Sequence, residues 1–286
     1  MTGRRLLLLH AHPDDESIQT GGTIAHYLAE GVDVRVLTFT LGEEGEVIGD
    51  RWAHLVAGEA DQLGGYRIGE LTAALAALTP PGRDPLAPRF LGGAGRFRDS
   101  GMAGTPSAEN PRALQQESLD DLARTLADEM VEFAPQVVVT YDAHGTYGHP
   151  DHIRVHDVTH AAVPLAQKRL GSTFKLYEAV TQRSELETGL AGVTVVPPGW
   201  HLPGPDELPS YPDGQVTAEV DVSRVYPAKV AALAAHATQV TVAPSGREFA
   251  LSNDILQPIF GREHFIRVDD GAEPGVVEND LFEGLP

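Results

Sequence analysis

Two short runs concentrate side chains that can hold a metal ion and move protons: His10-Ala11-His12-Pro13-Asp14-Asp15-Glu16 near the start and Gly148-His149-Pro150-Asp151-His152 in the middle. Imidazole nitrogens and carboxylate oxygens suit zinc or iron(II). A loop carrying His12 and Asp15, joined by one histidine of the second run, makes a two-histidine, one-aspartate set with positions left open for water and substrate. Open positions belong to a catalytic rather than a structural metal site. Hydrolysis there needs a base for the attacking water, and Asp14 beside Asp15 can serve. Each run alone has an ordinary reading, with Asp14 or Asp15 capping the following helix and His149 packed on Tyr147. The chain has no cysteine, so thiolate metal sites, disulfides and a cysteine nucleophile are excluded.

Strong elements stand directly before both runs. Arg4 to Leu9 reads as a buried strand and Gln136 to Thr140 as another, each delivering its His/Asp run at its carboxyl end. In open α/β sheets ligands bind at that end, near the point where the strand order reverses, so two distant runs can form one site. Around them the spacing predicts a helix over Thr20–Glu30 ended by Gly31 and a strand over Val32–Phe39. Further on it predicts a helix over Trp52–Leu63 stopped by Gly64-Gly65, a helix over Glu70–Leu78 and a short strand at Arg89–Leu91. A helix over Leu119–Phe133, another from His152 to Leu170 and a strand near Phe174–Val180 follow. Alternating strands and helices imply an α/β fold with a doubly wound, mostly parallel, Rossmann-like sheet. After residue 180 prolines at 197, 198, 203, 205, 209 and 212 break the pattern before a strand at Val216–Val222 and a helix at Ala228–His236. We therefore expect a catalytic domain over residues 1–180 and a smaller α+β subdomain over 181–286 that contributes to the substrate pocket.

Composition bounds the partners. With 286 residues, 42% of them hydrophobic, the chain can bury a substantial core. A formal charge of −20 repels nucleic acid and anionic lipid. Much of that charge lies in stretches such as Asp269–Glu283, read as solvated and given no chemistry. Arg4-Arg5 and the apolar Leu6–Leu9 faintly resemble a leader, but the run stops at His10, and no stretch approaches the ~20 apolar residues of a membrane span. The cytoplasm is the default location, and nothing in the chain specifies an oligomeric state.

The two runs resemble the signature of the LmbE-like or PIG-L-like N-acetylglucosaminyl deacetylases, His-Pro-Asp-Asp-Glu and later His-Pro-Asp-His, matched in full by residues 12–16 and 149–152. That resemblance implies metal ligation by His12, Asp15 and His152, with zinc the usual ion and iron(II) suited to the same ligands. It implies Asp14 as general base, and His149, oriented by Asp151, as the group that stabilises the oxyanion or protonates the leaving amine. Residues 41–52, Gln62–Arg67 and Leu91–Gly104 are similar to the branch of that family acting in mycothiol biosynthesis, over most of residues 5–180 and again around Lys229–Val240. The implied reaction removes acetate from N-acetylglucosaminyl-inositol, a small amino-sugar inositol substrate. Carried over by position, Arg67 and Asp99 would contact sugar or inositol hydroxyls, Glu46 would line the pocket, Tyr147 would help polarise the acetyl carbonyl and His236 would approach from the C-terminal part. Residues 182–215 diverge from that branch.

Alternatives are separated by particular residues. The amidases of the same family that cleave mycothiol S-conjugates share the metal core but differ in the loops at 41–52 and 95–104. A nucleotide-binding oxidoreductase would carry a glycine-rich phosphate loop after its first strand, where this chain has carboxylates. A serine hydrolase would need a G-x-S-x-G elbow, which is absent. A closed, non-catalytic metal module would have no use for Asp14 beside Asp15. Finally, His156 and His160 at i and i+4 form a candidate second metal pair, but no glutamate of an HExxH arrangement accompanies them, and satisfied helix histidines are the plainer reading.

Overall fold

The computed structural model describes residues 3–269 and 277–285. β1 (Arg5–His10) is built from Leu6–Leu9, all fully buried. A strand apolar on both faces must be covered on both. Leu6 and Leu8 join one core with side chains of the helices named below as α2, α3 and α8, whereas Leu7 and Leu9 join another with α4 and α6. A short α1 (Asp15–Gln19) and α2 (Gly21–Ala29) lead to β2 (Asp33–Thr38), which lies parallel to β1 with Leu6 opposite Val34. α3 (Leu63–Leu78), α4 (Leu119–Phe133) and β3 (Val137–Tyr141) follow. Then come a single kinked turn α5 (Gly145–Gly148), the long α6 (Pro150–Leu170), β4 (Lys175–Val180) and α7 (Arg183–Ala191). The rest holds β5 (Ala218–Asp221), α8 (Tyr226–Ala235), β6 (Thr241–Val242), β7 (Glu248–Ala250), β8 (Gln257–Pro258) and β9 (Arg262–Arg267).

The main sheet has the order β2-β1-β3-β4-β9-β5. Its first four strands are parallel, and β9 runs antiparallel between β4 and β5. The mostly parallel α/β sheet read from the sequence is therefore present, and its last two strands come from beyond residue 180. β6, β7 and β8 make a separate three-stranded antiparallel sheet. No helix among the described residues is long and apolar enough to cross a membrane.

Three local expectations fail for identifiable reasons. Gly64-Gly65 does not stop a helix over Trp52–Leu63; only a 3-10 turn, Asp50–Leu55, forms there, and α3 begins at Leu63. Gly64 is needed for close approach, because a Cβ on it would lie 2.7 Å from Cγ of Glu43. Arg89–Leu91 makes a single bridge, Phe90 to Thr38, in place of a strand. The acidic tail is not simply solvated. Residues 270–276 lie outside the described residues, but Glu278 accepts from Lys175 Nζ at 2.7 Å, from Arg267 Nη1 at 3.0 Å and from the Tyr177 hydroxyl. Leu281 and Phe282 are buried in the first core.

Candidate active site

The strand order reverses between β1 and β3, and both His/Asp runs leave the sheet there, one into α1 and the other into α6. That placement brings residues some 140 positions apart into contact: His152 Nε2 lies 3.3 Å from His12 Nδ1. Asp15 closes the triangle, with one carboxylate oxygen 3.3 Å from His12 Nδ1 and the other 3.3 Å from His152 Nε2. The two nitrogens and a different Asp15 oxygen facing each of them are thus spaced like the ~3.3 Å edge of a tetrahedral site with bonds of about 2.0–2.1 Å, which suits a divalent cation.

The surroundings hold those donors in place. Asp15 Oδ2 accepts from the His12 backbone at 2.9 Å and from the Tyr141 hydroxyl at 2.7 Å. Tyr141 also stacks on His152, with ring centroids 4.2 Å apart. Behind His12, its Nε2 faces Asp151 at 3.4 Å and Asp99 at 3.5 Å, the arrangement by which carboxylates orient a metal-bound histidine. Two triads offering one donor atom per residue fall within 4.8 Å here, namely His12, His149 and His152, and His12, Asp99 and Asp151. In the first, His149 Nδ1 is already taken, accepting the Asp151 N–H at 3.2 Å as the cap of α6. In the second, the aspartates sit behind the imidazole. The cluster is rich in negative charge: burial opposes it, yet His152 and His12 hold Asp15 well below the usual carboxylate range. Likewise Asp99, Asp15 and Asp151 hold His12 well above an ordinary histidine despite its burial. Such a cluster of carboxylates calls for a cation.

Asp14 stands beside the donors with φ 123°, a strained backbone conformation for a residue with a side chain. The fully buried Glu16 supports it. One Glu16 oxygen accepts from the Asp14 N–H at 2.9 Å, and the other accepts from Ser17 Oγ at 2.6 Å and pairs with His236 Nε2 at 2.7 Å. Arg67 Nη2 lies 3.0 Å from Asp14 Oδ2 and also donates to the Pro13 carbonyl, while Nη1 donates to the Gly42 carbonyl at 2.8 Å. Burial pushes the Asp14 carboxyl up to about 6, with Arg67 opposing. Burial and the neighbouring His12 and His152 push His149 down to about 3, so its ring is neutral. With Nδ1 accepting from the helix, the proton sits on Nε2.

The remaining expected residues divide. Tyr147 is 53% exposed and lines the cavity, its ring 5.2 Å from that of His152. Glu46 is exposed on the cavity wall. Arg67 and Asp99 line the cavity but are committed to protein partners, Asp99 accepting from the Gly101 N–H at 2.8 Å and the Glu44 N–H at 3.2 Å. His236 does not line it; fully buried, it stands behind Glu16. Asp151 does not face His149: its carboxylate turns to His12 and accepts from the Ser100 N–H at 2.9 Å. Two supports were missed by sequence reasoning. Glu16 lay inside the motif and only needed a role, whereas Tyr141 ends an apolar strand and carries no sequence signal.

The cavity holds about 1370 Å³ and runs from His12, Asp14 and Asp15 to Tyr211, Asn253 and Arg262. Pockets that bury a drug-sized ligand span roughly 300–1,000 Å³, so more than one ring fits.

A reversed parallel sheet with this His/Asp site agrees with sequence comparison: the chain belongs to the GlcNAc-PI de-N-acetylase (PIG-L) family, whose model matches residues 7–163. It is 66% identical over 282 residues, 98% of this chain and 100% of the relative, to the 1D-myo-inositol 2-acetamido-2-deoxy-alpha-D-glucopyranoside deacetylase of Gordonia bronchialis. It is 60% identical to the enzyme of the same name from Rhodococcus opacus, covering 100% of this chain and 99% of that one. Among solved structures, the N,N'-diacetylchitobiose deacetylase of Pyrococcus horikoshii shares the fold, with a TM-score of 0.53 and 17% identity over 82% of this chain and 70% of that chain.

Proposed function

We propose that this chain is a zinc-dependent N-deacetylase, iron(II) serving the same ligands, that hydrolyses the acetamide of N-acetylglucosaminyl-inositol to acetate and the free amine, a step of mycothiol biosynthesis. The observation that carries the reading is the His12, Asp15 and His152 triangle with Asp14 beside it, at the end of a cavity wide enough for two rings. The full-length likeness to deacetylases of that name supports the substrate.

His12, Asp15 and His152 would hold the ion. When bound, it supplies a Lewis acid for the acetyl carbonyl and makes water acidic enough for a carboxylate base. Asp14, steadied by Glu16 and Arg67, takes the proton of the attacking water. Once protonated, it can hand that proton to the departing amine, which neutral His149 cannot do at the outset. His149 donates its Nε2 hydrogen to the oxyanion, and the Tyr147 phenol adds a second donor there. Asp151 is a positioning residue acting on His12. Glu46 is free to meet substrate hydroxyls, whereas Arg67 and Asp99 shape the wall from behind. Residues between Thr181 and His264 supply the far wall, with Tyr211, Asn253 and Arg262 placed to meet the inositol side.

The test is acetate release from N-acetylglucosaminyl-inositol by protein stripped with chelator, then given back zinc or iron(II). Loss and recovery are expected. Metal-dependent cleavage of a mycothiol S-conjugate in preference to this substrate would replace the substrate assignment by the amidase one. No metal dependence would defeat the reaction assignment as well.

A further inference from the structure

Away from this cavity, α6 and β4 assemble another group of metal-binding side chains. His156 and His160 stand a turn apart on α6, their ring centroids 4.2 Å from each other. Both Nε2 atoms converge on the same oxygen, Glu178 Oε1, at 3.2 and 3.3 Å. The helix itself offers no glutamate to this i, i+4 pair; the sheet does, through Glu178 on β4, opposite Thr140 of β3. We propose that His156, His160 and Glu178 form a second divalent-metal site, for a borderline ion such as zinc, cobalt(II) or nickel(II).

Three features carry this beyond a pair of hydrogen-bonded histidines. First, the nitrogen-to-oxygen distances match the ~3.3 Å edge of a tetrahedral site with bonds of about 2.0–2.1 Å, the same spacing found in the active-site triangle. Second, His156 Nδ1 lies 3.0 Å from Asp157 Oδ1, a carboxylate partner that fixes the proton on that nitrogen and leaves the Nε2 lone pair aimed at Glu178. A lone pair aimed at a carboxylate oxygen is repulsive, so a second ring proton or a metal ion belongs between them. Third, the side chains of His156 and Glu178 are 14% and 12% exposed while that of His160 is 36% exposed, so the donors are held by packing and solvent still reaches them. An ion there is exchangeable and keeps an open position. His152 precedes His156 by one helical turn, about 6 Å along the axis, so the two sites share a rigid element but no ligand.

The experiment is a metal count by equilibrium dialysis. Full-length protein freed of metal is titrated with cobalt(II) or zinc and the bound ion measured, with circular dichroism confirming that each variant is folded. Wild type should take up two ions per chain, and both His160→Ala and Glu178→Gln one. Asp15→Ala should also take up one, and Asp15→Ala combined with His160→Ala none. A zinc-soaked crystal should show an anomalous peak between the three side chains. One ion per chain in wild type overturns the proposal, as do two ions bound with undiminished affinity by the His156→Ala/His160→Ala variant.

Discussion

Asp14, the base proposed above, is a single carboxyl on a strained backbone, with φ 123°. Burial raises its pKa to about 6, and only the ionised form can accept a proton. The sign follows: kcat/KM should be level above that pH and fall about tenfold per unit below it, with a bound cation drawing the midpoint lower. A profile flat from pH 7.5 to 4.5 would contradict the base assignment. Asp14→Asn should retain the metal yet lose roughly 10²–10⁴ in turnover, read by acetate release alongside a metal count. His236→Ala tests the support from behind. It removes the partner of Glu16 without touching the cavity, so kcat should fall with KM nearly unchanged, and an unaltered kcat would mean that Glu16 positions Asp14 alone. The motif His-Pro-Asp-Asp-Glu made the proposed base and ligands legible in the sequence. The role of Asp151 was not, because sequence proximity to His149 says nothing of which ring a carboxylate faces once α6 has turned it inward.

Elements here are fastened to one another by side chains from far along the chain. α2 has no side-chain cap of its own at Thr20; Glu263 on β9 takes that place, accepting from the N–H groups of Gly22 at 2.8 Å and Thr23 at 2.7 Å. Lys229 of α8 pairs with the same carboxylate at 2.7 Å, both side chains being 3% exposed. Replacing Glu263 by Ala leaves two helix donors unpaired and a buried lysine with only the Phe260 carbonyl, 3.5 Å away, to donate to. The cost should be about 3–5 kcal/mol, a drop in Tm on the order of 10 °C, measured by thermal unfolding. A change under 1 °C would show that water replaces the carboxylate. Periodicity predicted α4 over its full length and α6 from His152, two residues past its start at Pro150. It failed at α3, where Gly64 looked like a stop because nothing local reveals that Glu43 would need the space.

The whole molecule is closed by its C-terminal half. β9 and β5 complete the sheet begun by β1, and the chain after residue 277 returns to the first core, where Phe282 packs edge-on against Tyr27 with centroids 5.4 Å apart. Phe282→Ala should cost about 3–5 kcal/mol of stability, checked by denaturant unfolding; a loss below 1 kcal/mol would mean that the tail is peripheral to the fold. Taken alone, the sequence determined the fold class and the pairing of two loops at strand ends, and it named the ligands and base proposed here, because period, strand-end placement and side-chain chemistry are local properties. Only the tertiary structure decided which faces meet: Tyr141 on His152, Asp151 behind His12, His236 behind Glu16, and Glu178 between two histidines of a helix. Those contacts join residues from 11 to more than 200 positions apart, and their geometry exists only when the sheet order places one strand end beside another.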